Sequence, residues 1–114
     1  MTELASTMTP AEIASQAAHA IRVLNELTHG GGELSNSGDV RAIVTSLELI
    51  GQDLPQLCEQ LARFLVIQHE DGQDPDDSVT EIIEALTAAG QAADMMTAAL
   101  GEARRATDGL TAPR

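Results

Sequence analysis

From Val40 to Phe64, large apolar residues return at alternating steps of three and four without a miss: Val40, Ile43, Leu47, Ile50, Leu54, Leu57, Leu61 and Phe64. Only a helix gathers such positions into one stripe, and a stripe that apolar has to be covered. Its densest part, Leu54-Pro55-Gln56-Leu57-Cys58-Glu59-Gln60-Leu61-Ala62-Arg63-Phe64-Leu65, is the axis against which the rest of the chain is expected to pack. The pattern predicts a helix over about 39–70, with Ser37 or Asp39 as its cap. Pro55 stands inside it. An interior proline removes one backbone hydrogen bond and crowds the carbonyl four residues back. Here that residue is Gly51, whose backbone is permissive, and the stripe keeps register on both sides. One helix kinked near Pro55 is therefore expected, the alternative being a break with Asp53 capping a new helix.

The flanking segments read as two further helices. Residues 1–8 are small and polar and are expected to fray. Thr9-Pro10-Ala11-Glu12 has the form of a capping box with Pro at the first helical position, and Met8 and Ile13 stand where a hydrophobic staple would pair them. Ile13, Ala17, Ala20, Leu24 and Leu27 continue as a heptad seam to Gly30-Gly31-Gly32, where a left-handed Gly ends the helix near residue 29. After the acidic stretch 70–77, a third helix over about 75–108 carries Val79, Ile82, Leu86, Ala89, Ala93, Met96, Leu100 and Ala103 on one seam. Asp74-Pro75, or Ser78 boxed with Glu81, opens it, and Gly109 looks like its stop. Ala88, Ala89, Gly90, Ala92, Ala93, Ala98 and Ala99 let a neighbouring helix approach closely.

Short connections make an all-α, antiparallel three-helix bundle the expected fold, in a single domain of 114 residues. The helices are unequal. The first, about 20 residues, spans about 30 Å, against about 45 Å for each arm of the helix 2/helix 3 hairpin. It can cover only the half of the hairpin from Val40 to about Leu57. The bare tip then holds Leu61, Phe64, Leu65 and Ile67 on one arm and Val79, Ile82, Ile83 and Leu86 on the other, and these eight are the expected partner-binding residues. Contiguous apolar patches larger than a few hundred Å² are uncommon on soluble monomers, so a second copy is the simplest cover and a homodimer is expected; a heterologous helix is the second possibility.

Charge narrows the partners. Eighteen acids against six bases, all Arg, give a formal charge of −12, which repels nucleic acid and anionic lipid and attracts basic proteins. One cysteine excludes an internal disulfide, no basic-then-apolar leader is visible, and no apolar run approaches the ~20 residues of a membrane span. A cytoplasmic placement is expected.

Candidate chemistry fails on spacing. The Gly30–Gly32 triplet, with Ser35 to Gly38 after it, lacks the Gly-Lys-Ser/Thr of a phosphate loop, and the chain has no lysine. With Asp74 and Asp76 as first and third ligands, an EF-hand loop would need Gly at Val79 and Glu at Ala85. Glu70, Asp71, Asp74, Asp76, Asp77, Glu81 and Glu84 therefore read as helix capping and a solvated turn. His19, His29 and His69 have no second ligand at metal spacing, though His69 could report pH beside Glu70. Cys58 reads as a small core residue, with no cation nearer in sequence than Arg63. Met95 and Met96 read as gap fillers, and Arg104-Arg105 as complements to the negative end of the third helix. No catalytic, metal or cofactor residue is expected, and the chain reads as a non-enzyme.

Leu54-Pro55-Gln56-Leu57, then Gln60-Leu61-Ala62-Arg63-Phe64-Leu65, a short acidic turn and an Ala-rich third helix resemble short, helical, uncharacterised proteins encoded by actinomycete plasmids and integrative conjugative elements. The likeness covers about the last two-thirds of the chain. It implies a small accessory protein and carries no activity with it. Secreted helical hairpins of similar length carry a Trp-x-Gly turn, which a chain without Trp cannot form. Two functions are expected on these grounds: an interaction module, dimeric through the hairpin tip, or an acidic regulator that binds a basic protein by charge mimicry. A deep pocket with convergent polar groups would be needed to revive an enzyme.

Overall fold

The computed structural model describes residues 7–31, 34, 36–70 and 77–111. The protein is all-α: among the described residues there are three long helices and no strand, namely α1 (Pro10–Thr28), α2 (Ser37–Glu70) and α3 (Asp77–Thr111), with a short 3-10 turn at His29–Gly31. Two compact units emerge, Met1–Ser35 and Asn36–Arg114.

In the first unit the sequence dictates both ends of α1. The Glu12 amide donates to Thr9 Oγ1 at 3.1 Å and the Thr9 amide donates to Glu12 Oε1 at 2.8 Å, a complete capping box with Pro10 at the first turn. The Thr9 amide bond, then the Thr9 side chain, hold the Glu12 carboxyl below its ordinary pKa. At the other end the His29 amide donates to Glu26 O, and Gly30 takes φ 68°, a left-handed conformation that costs glycine nothing. No residue of α1 is buried.

In the second unit α2 and α3 form a hairpin. Arg41 meets Asp108, Glu48 meets Arg104, Gly51 faces Thr97 and Pro55 faces Gly90, so rising numbers on one helix meet falling numbers on the other. Helix α2 is unbroken from Ser37 to Glu70 with Pro55 in its interior. Its cap is neither Ser37 nor Asp39. Asn36 Oδ1 accepts the Asp39 amide at 3.1 Å, one residue earlier than expected, and lies so close to Gly38 that a Cβ there would come within 2.9 Å of it. A short amide side chain suits the cap, and glycine gives it room.

Helix α3 runs past its expected end. Its described residues start at Asp77, so Ser78 lies inside it rather than capping it; the other expected opening, Asp74-Pro75, lies outside the described residues. It runs through Gly109 to Thr111, and Gly109 has no positive φ. Glycine permits a left-handed stop without compelling one, and the ion pair of Asp108 with Arg41 ties the last turns to α2. Arg104 and Arg105 therefore do not sit in the last turn, and Arg104 serves Glu48 instead of the helix terminus.

The seam between the two helices is shifted from the one the large residues suggest. On α3 the residues turned inward are Val79, Ile83, Leu86, Gly90, Ala93, Thr97, Leu100, Arg104 and Thr107, in alternating steps of four and three. Val79, Leu86, Ala93 and Leu100 stand where expected. Three of the alternate positions move on by one, from Ile82 to Ile83, Ala89 to Gly90 and Met96 to Thr97, while Ala103 and Arg104 are both half-buried. Along α2 the seam runs through Val44, Leu47, Glu48, Gly51, Leu54, Pro55, Cys58, Ala62 and Leu65, with the same displacement at Ile50, Leu57, Leu61 and Phe64.

Close approach of backbones explains the shift. A Cβ on Gly90 would stand 3.5 Å from Pro55 Cα, and one on Gly51 would fall 2.4 Å from Thr97 Oγ1. Small residues on both helices bring the two backbones together at the expense of the larger side chains, which swing to the flank. The core this makes is thin: of the described apolar residues only Val79 and Ala93 are buried.

Candidate interaction surface on the hairpin

The flank of the hairpin is where its large apolar side chains have gone. In an antiparallel helix pair, stepping back one residue from the seam turns each helix by about 100°, and the opposite chain directions make both turns lead to the same side. One step back from the seam lie Ile43, Ile50, Leu57, Leu61 and Phe64 on α2, and Ile82, Ala89, Met96 and Ala103 on α3. One step forward lie Gln52, Glu59 and Arg63, and Glu84, Gln91, Asp94 and Arg105. The hairpin thus has a mainly apolar face, which Asp53 interrupts, and a mainly charged face, which also carries the exposed Leu49 and Val66.

Exposure follows that division. Ile50 is 45% exposed, Leu57 48%, Leu61 48%, Phe64 61%, Ile82 46% and Met96 40%. Of the eight residues expected at the tip, Leu61, Phe64, Ile67 and Ile82 are exposed, while Leu65, Ile83 and Leu86 are half-buried in the seam and Val79 is buried in it. The tip residues therefore split between holding the hairpin together and lining its apolar side. Ile50, Leu57 and Met96, outside the expected set, extend the same surface away from the turn. Their signal was present in the sequence as the smaller residue one position further on, Gly51, Cys58 and Thr97, which claim the seam.

The charged face holds an open groove of about 230 Å³ lined by Pro55, Cys58, Glu59, Ala62, Leu86, Thr87, Gly90, Gln91 and Asp94. Cys58 is half-buried there. Its charged neighbours in the groove, Glu59 and Asp94, are both acids. Among the described residues no group of three or more His, Cys, Asp and Glu could hold a metal ion. His69, Glu70, Asp71, Asp74, Asp76 and Asp77, the bulk of the acidic turn, have side chains outside the described residues.

At the end of the hairpin away from the turn, Arg104 Nε donates to Glu48 Oε1 at 2.6 Å, with side chains 29% and 14% exposed respectively. Gly101 makes room for this: a Cβ there would stand 3.1 Å from Glu48 Oε2. The Arg104 hydrogen bond lowers the Glu48 carboxyl from its ordinary pKa, and the same bond raises the Arg104 guanidinium. Arg63 bonds Glu59 at 2.8 Å across one turn of α2, an exposed pair of little energetic weight.

No described helix is long and apolar enough to cross a membrane. No protein-family model, curated protein or solved structure matches the chain.

Proposed function

We propose that the protein is a non-enzymatic interaction or scaffold module that acts as a homodimer joined through the tip of the α2/α3 hairpin. The observation that carries this reading is the exposure of Leu61, Phe64, Ile67 and Ile82 together at that tip, above a seam that buries few apolar residues of its own. Burying a large aliphatic or aromatic side chain is worth about 1.5–3 kcal/mol, and a hairpin with so thin a core gains more from a partner than a well-filled bundle would. A bend of α2 at Pro55 and a cytoplasmic setting belong to the same proposal, supported by the missing amide hydrogen at Pro55 and by the lack of an apolar span among the described helices.

Light scattering on the purified chain tests it. The expected mass at micromolar concentration is twice that of the chain, and Leu61→Asp or Ile82→Asp halves it while helicity is retained. A monomeric mass for the unaltered protein refutes the reading.

The net charge of −12 supports a second reading, an acidic regulator that binds a basic protein such as a DNA-binding protein. Salt separates the two. A complex held by apolar burial persists in molar salt, whereas charge-driven affinity falls steeply as screening shortens to about 3 Å.

A further inference from the structure

We infer that the end of α3, residues 101–111, is a latch held to α2 by charge: it is docked as helix while its ion pairs last and melts when they are broken, and the half of the hairpin next to the turn stays closed. The inference concerns the α2/α3 unit alone and does not depend on the dimer.

Composition and burial carry it together. The segment reads Gly-Glu-Ala-Arg-Arg-Ala-Thr-Asp-Gly-Leu-Thr, and its one large apolar side chain, Leu110, is 73% exposed. Its buried and half-buried residues are Gly101, Ala103, Arg104, Thr107 and Asp108, all of them small or charged. Two ion pairs cross from it to α2. Arg41 meets Asp108, and Arg104 grips Glu48 twice, Nε donating to Oε1 at 2.6 Å and Nη2 to Oε2 at 3.5 Å. Arg105 is near enough to act on Glu48 as a second cation. Toward the turn the same seam is apolar: Val79 and Ala93 are buried, and Leu65, Ile83 and Leu86 are half-buried. One half of the hairpin is therefore closed by apolar burial and the other by charge, and regions with few buried apolar contacts are the ones that open separately.

Breaking a pair does more than subtract its attraction. Glu48 and Arg104 are partly shielded from water, so removing either leaves the other without its counter-charge in a place where solvation is incomplete. Once released, the segment is a helix end in water. Gly101 at its base and Gly109 near its tip each cost about 1 kcal/mol relative to Ala, and Thr107 and Asp108 are weak helix formers. Gly101 thus serves twice. It admits the Glu48 carboxylate, and it is the weak point at which the helix parts when that carboxylate lets go.

Amide hydrogen exchange, read residue by residue by NMR on the full chain, tests the latch. Glu48→Gln and Arg104→Gln are each expected to speed exchange at residues 102–110 by about tenfold, the effect of losing one charge-assisted hydrogen bond, while residues 82–93 stay within about twofold. Arg63→Gln removes an equal charge from the exposed pair with Glu59 and should leave residues 102–110 unchanged. The unaltered chain gives a second reading that no folding defect can disturb. Between about 0.1 M and 1 M sodium chloride the screening length falls from about 10 Å to about 3 Å, so exchange at residues 102–110 should rise several-fold relative to residues 82–93. Exchange at residues 102–110 that ignores salt and both variants overturns the latch, since other contacts then hold the segment. Equal acceleration along the whole of α3 also overturns it, because the hairpin then opens as one piece. So does exchange in the unaltered chain at the rate of an unstructured peptide, which would mean that the segment is not docked.

Discussion

Replacing Gly51 by Ala probes the tightest glycine position between α2 and α3 among the described residues. The new Cβ would stand 2.4 Å from Thr97 Oγ1, closer than such atoms tolerate, and 3.4 Å from Thr97 Cβ. Thr97 cannot yield freely, because its hydroxyl donates to Ala93 O at 2.8 Å and a β-branched side chain has few rotamers in a helix. Overpacking of this kind costs about 1–3 kcal/mol, and the better helix propensity of Ala returns up to about 1 kcal/mol. Gly51→Ala should therefore destabilise by about 1 kcal/mol net. Thr97→Ala alone should change little, since it loses one half-buried hydroxyl and gains propensity. Combined, the two should be more stable than their sum by about 1–2 kcal/mol, because removing the hydroxyl removes the clash. Gly90→Ala is the internal control: its Cβ would meet Pro55 Cα at 3.5 Å, an ordinary contact, so propensity wins and the hairpin is stabilised by about 0.5–1 kcal/mol. Urea unfolding followed at 222 nm, at one fixed protomer concentration because a dimer's stability depends on it, gives all four values. Additivity of Gly51→Ala and Thr97→Ala within about 0.5 kcal/mol would show that the two helices do not meet at this point.

Acid sensitivity and capping supply further tests. The Glu48 carboxyl is held below its ordinary pKa by Arg104, so the folded state takes up its proton less readily than the unfolded chain. Its contribution is complete above the ordinary carboxylate range and is lost as the pH falls through the depressed folded value; Glu48→Gln should flatten that limb of a stability–pH curve, and an unchanged limb would assign the acid loss to other carboxylates. Thr9→Ala removes one acceptor of the capping box and should cost the first turn of α1 about 1 kcal/mol, read as faster hydrogen exchange at the Glu12 and Ile13 amides with the amides of α3 unaffected.

How much of this was legible in the residues differs between the helices. The start and end of α1 could be read directly, because a capping box and a left-handed glycine are local devices whose partners lie within four residues. The α2/α3 seam could be read only to half its positions. Hydropathy weights large side chains, so it chose Ile50, Leu57 and Met96, whereas the contact is decided by how closely two backbones can come, which favours Gly51, Cys58, Gly90 and Thr97. Both stripes have the same heptad rhythm and lie one residue apart, and no count made on one helix alone tells them apart. Arg104 was misassigned for a related reason: its partner, Glu48, is 56 residues away in sequence, and only the pairing of the two helices brings it within reach.

The same ambiguity bears on function. A helix with two apolar stripes about 100° apart can satisfy one neighbour with each, and this is the pattern of a helix inside a three- or four-helix bundle rather than of one in an isolated pair. In α2 the small-residue stripe meets α3, and the large-residue stripe remains. In α3 the division repeats, with Ile82 and Met96 left over. Since most of the leftover large residues of both helices emerge on one side of the hairpin and most ionised residues on the other, Asp53, Leu49 and Val66 excepted, the segregation belongs to the pair and not to either helix alone. A solvated hairpin would have no physical need of it. Mixing Glu59 or Asp94 among Leu57 and Met96 would leave the α2/α3 seam untouched, so the pairing of α2 with α3 does not by itself account for the apolar flank.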